Sequence, residues 1–123
     1  VEVMNSDHAV PGLCYRFTNR ENGKVIGFTG DTKYRPEFGK FFANADALVH
    51  EASFGAGPVP PIADTTCRHS SAIEAARVAT EANVRRLILT HTYEPKRAGA
   101  IEEAKKRLTI PVEWAMPETV IEY

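Results

Sequence analysis

Phe28-Thr29-Gly30-Asp31-Thr32 decides the reading of this chain. The residues from Lys24 to Phe28 form an apolar-centred run that stops at a glycine, and an aspartate follows at once. Two later runs end in the same manner. Ala47-Leu48-Val49 delivers His50 and Glu51, and Leu87-Ile88-Leu89-Thr90 delivers His91. Continuous apolar centres of this length suit strands covered on both faces. In open α/β sheets, ligands bind where the carboxyl ends of strands meet their loops. Three strands that each release Asp, Glu or His at that edge predict one polar site built from scattered positions.

Working outward, Leu13 to Thr18 is rich in β-formers, and Asn19-Arg20-Glu21-Asn22-Gly23 supplies a turn before the next run, which predicts a hairpin. Arg35 to Asn44 reads as a helix, with Pro36 in its first turn and Phe38, Phe41 and Phe42 on one face. Ser53 to Thr66 is a long loop carrying two glycines and three prolines. His69-Ser70-Ser71 opens the clearest helix, where Ser71 and Glu74 have capping-box spacing. Its small residues Ala72, Ala76, Ala79 and Ala82 predict close approach to a sheet, and Asn83 ends it. Ala98 to Leu108 is predicted as a further helix, and Ile110 to Trp114 and Thr119 to Tyr123 as a closing pair of strands. The expected class is an α/β layered unit with a mixed sheet.

Length and composition bound the rest. The 123 residues make one domain, with 43% hydrophobic and 25% charged residues, ordinary for a globular protein. A formal charge of −1 gives no broad attraction for polyanions. Lys96, Arg97, Lys105, Lys106 and Arg107 are expected to form a solvated helix face. Two cysteines, Cys14 and Cys67, without repeated spacing argue against a disulfide framework or a cysteine zinc site. No signal peptide or membrane-spanning run is evident, so a reduced, cytoplasmic protein is expected. The first residue is Val1 rather than Met, which suggests a piece of something longer.

Taken singly, the candidate site residues have two readings each. Asp31 is a hard oxygen ligand for metal, or an Asx-turn or cap residue. His91 and His8 are metal ligands, or histidines hydrogen-bonded at the core edge. Glu51 leaves a buried strand and needs a partner there, in an ion pair or behind a histidine. His69, just before a helix, is a general acid or anion contact, or a simple cap-region residue.

Read together, His8-x6-Tyr15-Arg16, Gly30-Asp31-Thr32, His50-Glu51-Ala52-Ser53, His69-Ser70-Ser71 and Leu89-Thr90-His91 resemble the second half of a metallo-β-lactamase-fold hydrolase. The likeness is greatest to the ribonuclease Z group and its phosphodiesterase relatives. It implies the C-terminal half of an αββα sandwich, a mixed sheet with helices packed on it. It also implies two divalent metal ions, zinc or manganese. His8 and His91 would each ligate one ion and Asp31 would bridge both. His69, backed by Glu51, would meet the scissile phosphate and protonate the leaving oxygen, while His50 and Thr32 would stand behind these groups. The substrate implied is a phosphodiester or nucleic acid. The family's His-x-His-x-Asp-His motif belongs to a first half that is absent here, so this chain offers three ligands, and the isolated chain is expected to be inactive. A missing N-terminal half or a second copy is then expected on the sheet, with no membrane involved. A short hairpin also stands where bacterial tRNA-processing enzymes insert a long arm, and Ser53 and Thr92-Tyr93 replace the family's usual Thr and Phe-Ser. Two other readings remain: a non-catalytic lobe of the same fold, and a hydrolase of esters, thioesters or lactams.

Overall fold

The computed structural model describes residues 1–61 and 68–123. The far end of the expected Ser53–Thr66 loop, and Cys67, lie outside the described residues. Six strands form one sheet in chain order: β1 (Glu2–Asn5), β2 (Leu13–Thr18), β3 (Val25–Phe28), β4 (Ala47–Glu51), β5 (Leu87–Thr90) and β6 (Val112–Trp114). The first two pairings are antiparallel and the last three parallel, so the sheet is mixed. Among the described residues, three helices connect the parallel strands: α1 (Phe38–Phe41), α2 (Ala72–Glu81) and α3 (Glu94–Arg107).

The register sorts residues by face. The row Gly27, Leu48, Leu87, Val112 points toward the helices. There α2 lays Ala72, Ala75, Ala76, Val78 and Ala79 down as its buried side, and α3 adds Ala100 and Ala104. Gly27 is required for close approach: a Cβ built there would lie 2.5 Å from Cδ1 of Phe42. The opposite row, Val3, Tyr15, Phe28, Val49, Ile88, points away from the helices. At the β1–β3 end that face is open, with Val3, Leu13, Tyr15, Phe17 and Phe28 exposed. Tyr15 stacks on Phe17, and Phe17 meets Phe28 edge-on.

Four boundaries differ from the sequence reading. The helix expected over Arg35–Asn44 is the single turn Phe38–Phe41 with Phe42 as its C-cap, and Asn44 beyond it sits at φ 57. Phe42, just past the helix, packs against Gly27, while Phe38 is buried in the core. The last helix begins at Glu94 rather than Ala98, because Pro95 sits in the first turn, where its missing N–H costs nothing. Thr119 to Tyr123 is not a strand: its β-formers have no pairing partner, and propensity without a neighbour does not make a sheet. The sheet instead gains β1 at the other end of the chain. Among the described residues no helix is long and apolar enough to cross a membrane. Of the basic residues expected on a solvated face, Lys96, Lys105, Lys106 and Arg107 are exposed, whereas Arg97 is half-buried, donating to the Thr92 carbonyl and lying over Trp114.

Candidate metal and proton-transfer site

The carboxyl ends of β3, β4 and β5 lie side by side, and the polar residues that follow them meet on one rim. Gly30, at φ 59, turns the chain after β3 and presents Asp31. Glu51 closes β4 and is 1% exposed. Its Oε1 accepts the backbone N–H of Thr32 at 2.6 Å and Nδ1–H of His69 at 2.9 Å. Its Oε2 accepts the Ser53 hydroxyl at 2.6 Å and the Ser53 N–H at 3.3 Å. Every partner is a donor, which is what an acceptor-only carboxylate takes.

The tautomers follow from these bonds. With Nδ1–H of His69 given to Glu51, Nε2 is the nitrogen left for chemistry. Ser53 commits its one proton to Glu51, so its oxygen accepts toward Nδ1 of His91 at 3.0 Å. Nδ1 of His91 also lies 3.0 Å from Oδ1 of Asp31. His91 itself sits at φ 60, a left-handed conformation uncommon outside glycine, and such positions cluster at functional sites.

His8 arrives from the loop between β1 and β2. Its Nδ1–H donates to the Arg68 carbonyl at 3.4 Å, and its ring lies 4.6 Å from that of His69. The Arg68 guanidinium pairs with Asp7 at 3.1 Å, which ties this loop to the approach to α2. At the start of α2, Ser71 accepts Ile73 N–H and Glu74 accepts Ser71 N–H, so the capping box forms as its spacing predicts.

Thr32 fastens three of these segments. Besides giving its N–H to Glu51, its hydroxyl accepts the Asp7 N–H at 2.9 Å, and its carbonyl accepts the Ser70 hydroxyl at 2.7 Å. His50 lies fully buried behind Glu51 and donates Nδ1–H to the Glu51 carbonyl at 2.8 Å, while Nε2 has no hydrogen-bond partner among the described residues. Desolvation holds His50 below its ordinary pKa, so it stays neutral. Cys14 is no nucleophile: burial pushes its thiol up to about 12, and it donates to the Thr29 carbonyl.

Among the described residues two overlapping groups have donor atoms within 4.8 Å of one another: His8, Asp31 and His69, and Glu51, His69 and His91. Imidazole and carboxylate donors in such sets suit zinc or manganese. His8, Asp31, Glu51, His69 and His91 therefore come together on one rim. His50 and Thr32 lie behind it, each bonded to Glu51. The sequence reading missed Ser53 as the bridge between Glu51, His69 and His91. A hydroxyl two residues past a buried glutamate was the only local signal.

Sheet order, helix placement and rim together give this chain the metallo-β-lactamase fold. It superimposes on the metallo-beta-lactamase fold protein YhfI from Bacillus subtilis with a TM-score of 0.81 and 28% identity, covering 92% of this chain and 45% of that one. Human tRNase Z, short form, shares the fold at a TM-score of 0.69 and 22% identity, over 98% of this chain and 41% of that one. Within the fold this is a ribonuclease Z-like chain. It is 37% identical over 103 residues to ribonuclease Z of Myxococcus xanthus, an alignment covering 81% of this chain and 33% of that protein. The chain thus spans 22–33% of the length of the curated relatives it matches. No protein-family model matches it.

Proposed function

We propose that the rim is the C-terminal contribution to a metal-dependent hydrolase of phosphodiesters, RNA among them. The observation that carries this is the fixed pair of Glu51 and His69, set beside Asp31 and His91 on the same strand ends. His8, Asp31 and His91 would hold two divalent ions. When bound, such ions supply an activated water and offset the negative charge of the reacting phosphate.

The chain's own residues account for the proton. Glu51 holds the His69 ring through Nδ1 and stabilises its imidazolium form, as carboxylates do behind catalytic histidines. The Nε2 proton of that imidazolium passes to the leaving oxygen, and His69 ends neutral. Ser53 links this pair to His91, so the metal-binding and proton-transfer groups are held in one hydrogen-bonded frame. His50 and Thr32 keep Glu51 in place through its carbonyl and its Oε1.

Three protein ligands shared between two ions are fewer than hydrolytic sites use. The remaining ligands would come from a polypeptide covering the open face of the sheet, either more of the same chain or a second copy. Zinc titration of the chain, wild type against Asp31→Ala, tests the site. Zinc binding by the wild type that disappears in the variant supports it. Equal zinc uptake by both, or none by either with unchanged melting, indicates a non-catalytic lobe. The lone chain should hydrolyse bis(4-nitrophenyl) phosphate barely above background, and brisk turnover would contradict the shortage of ligands.

A further inference from the structure

Next to His69 lies a cavity of about 360 Å³, bounded by Lys33, Tyr34, Val59, Ile73, Glu74 and Arg77. That volume is in the range of small-molecule sites. None of these residues serves the proton-transfer pair. Arg77 is the unusual one: its side chain is 58% exposed yet held in place on two sides. Its guanidinium lies 3.9 Å over the Tyr34 ring, and its Nε–H donates to Glu81 at 2.8 Å. The Tyr34 hydroxyl donates to the same Glu81 carboxylate at 2.9 Å. An exposed arginine normally loses rotamer freedom when it binds something. This one has already been ordered by its neighbours.

The charges decide what it binds. Arg77 is matched by Glu81, and Lys33 lies 3.9 Å from Asp7. Glu74 adds a further carboxylate, already used by the capping box. The cavity therefore has no surplus of cations to attract a second phosphate. Tyr34 covers one face of the planar Arg77 guanidinium, more than half of the side chain is exposed, and Val59 and Ile73 line the same cavity. Bases of single-stranded nucleic acids stack on such planes.

Resting on the phosphodiester reading above, we propose that this cavity is a base subsite: the nucleobase attached to the leaving side of the scissile phosphate stacks on Arg77. His69 itself lines the cavity, so the nucleoside whose oxygen it would protonate is the one within reach of Arg77. The site then prefers nucleoside phosphodiesters to simple alkyl ones without requiring a second phosphate.

The test is a titration of the chain with dithymidine monophosphate and its two abasic counterparts, each lacking one base. The backbone amide resonances of Ile73 and Glu74, which line the cavity and persist in every variant, serve as the reporter. Removing one particular base should weaken binding about tenfold, and removing the other less than twofold. Arg77→Ala should abolish that difference while leaving the affinity of the weaker abasic compound unchanged. Tyr34→Phe, which keeps the ring but releases Glu81, should lose part of it. Equal affinity for all three compounds, equal loss from either base, or uniform weakening by Arg77→Ala would overturn the subsite. His69→Ala separates the two ideas. If it weakens all three compounds alike while the base adds nothing, the phosphodiester reading stands and only the subsite falls. If none of the compounds binds, both fall.

Discussion

His91 holds its place at a conformational cost. A left-handed backbone costs a β-carbon-bearing residue on the order of 1 kcal/mol, and glycine avoids it. His91→Gly should therefore leave the melting temperature unchanged or raise it slightly, although a side chain bonded to Asp31 and Ser53 is removed. The same variant should lose zinc binding. A clear drop in melting temperature would show that the imidazole serves the fold instead. His50 has the opposite character, since it is buried and uncharged. The unfolded chain protonates His50 near its ordinary value of 6.5, whereas the folded chain resists, because desolvation lowers its pKa. The unfolded state thus binds the extra proton, and stability falls as pH drops below about 6.5, by up to about 1.4 kcal/mol per pH unit. Above that pH this contribution is fully present. Denaturant midpoints between pH 7.5 and 5.5 should show a shallower slope for His50→Gln than for the wild type. Parallel slopes would mean that another group sets the acid limit.

Among the elements, α2 is the one whose start decides the site, because His69 and Ser70 immediately precede its cap. Ser71→Ala removes the acceptor of Ile73 N–H and the partner of Glu74. It should cost about 1 kcal/mol, a fall of roughly 3–5 °C in melting temperature read by calorimetry. This element was legible in the sequence because a capping box is local: Ser71 and Glu74 stand three residues apart wherever the helix goes. Strands β2 to β5 were legible for a like reason, as apolar runs bounded by turn residues. What could not be read depends on distant partners. Thr119 to Tyr123 has the composition of a strand and lacks a neighbour. The segment Glu2–Asn5 becomes β1 only because β2 lies beside it. The site divides along the same line. His8, Asp31, Glu51, His69 and His91 were visible as polar residues at the ends of apolar runs or beside turns. The pairing of Arg68 with Asp7, 61 positions apart, left no trace in the sequence.

At the scale of the whole molecule, one sheet face is sealed by helices and the other is open across β1 to β3. Contiguous exposed apolar surface of this kind marks an interface. The isolated chain should therefore self-associate at tens of micromolar in sedimentation velocity, and Phe17→Lys should shift it toward monomer without lowering the melting temperature much. A wild type monomeric at all concentrations would contradict this. Thr32 has a wider consequence. Because its amide, hydroxyl and carbonyl each fasten a different segment, no one of the three can fray without loosening the other two. The rim should open as one cooperative unit, like a buckle rather than a row of separate latches. Deuterium should then enter the amides of Asp7 and Thr32 at matched rates, and a cation that grips any part of the rim should slow both together.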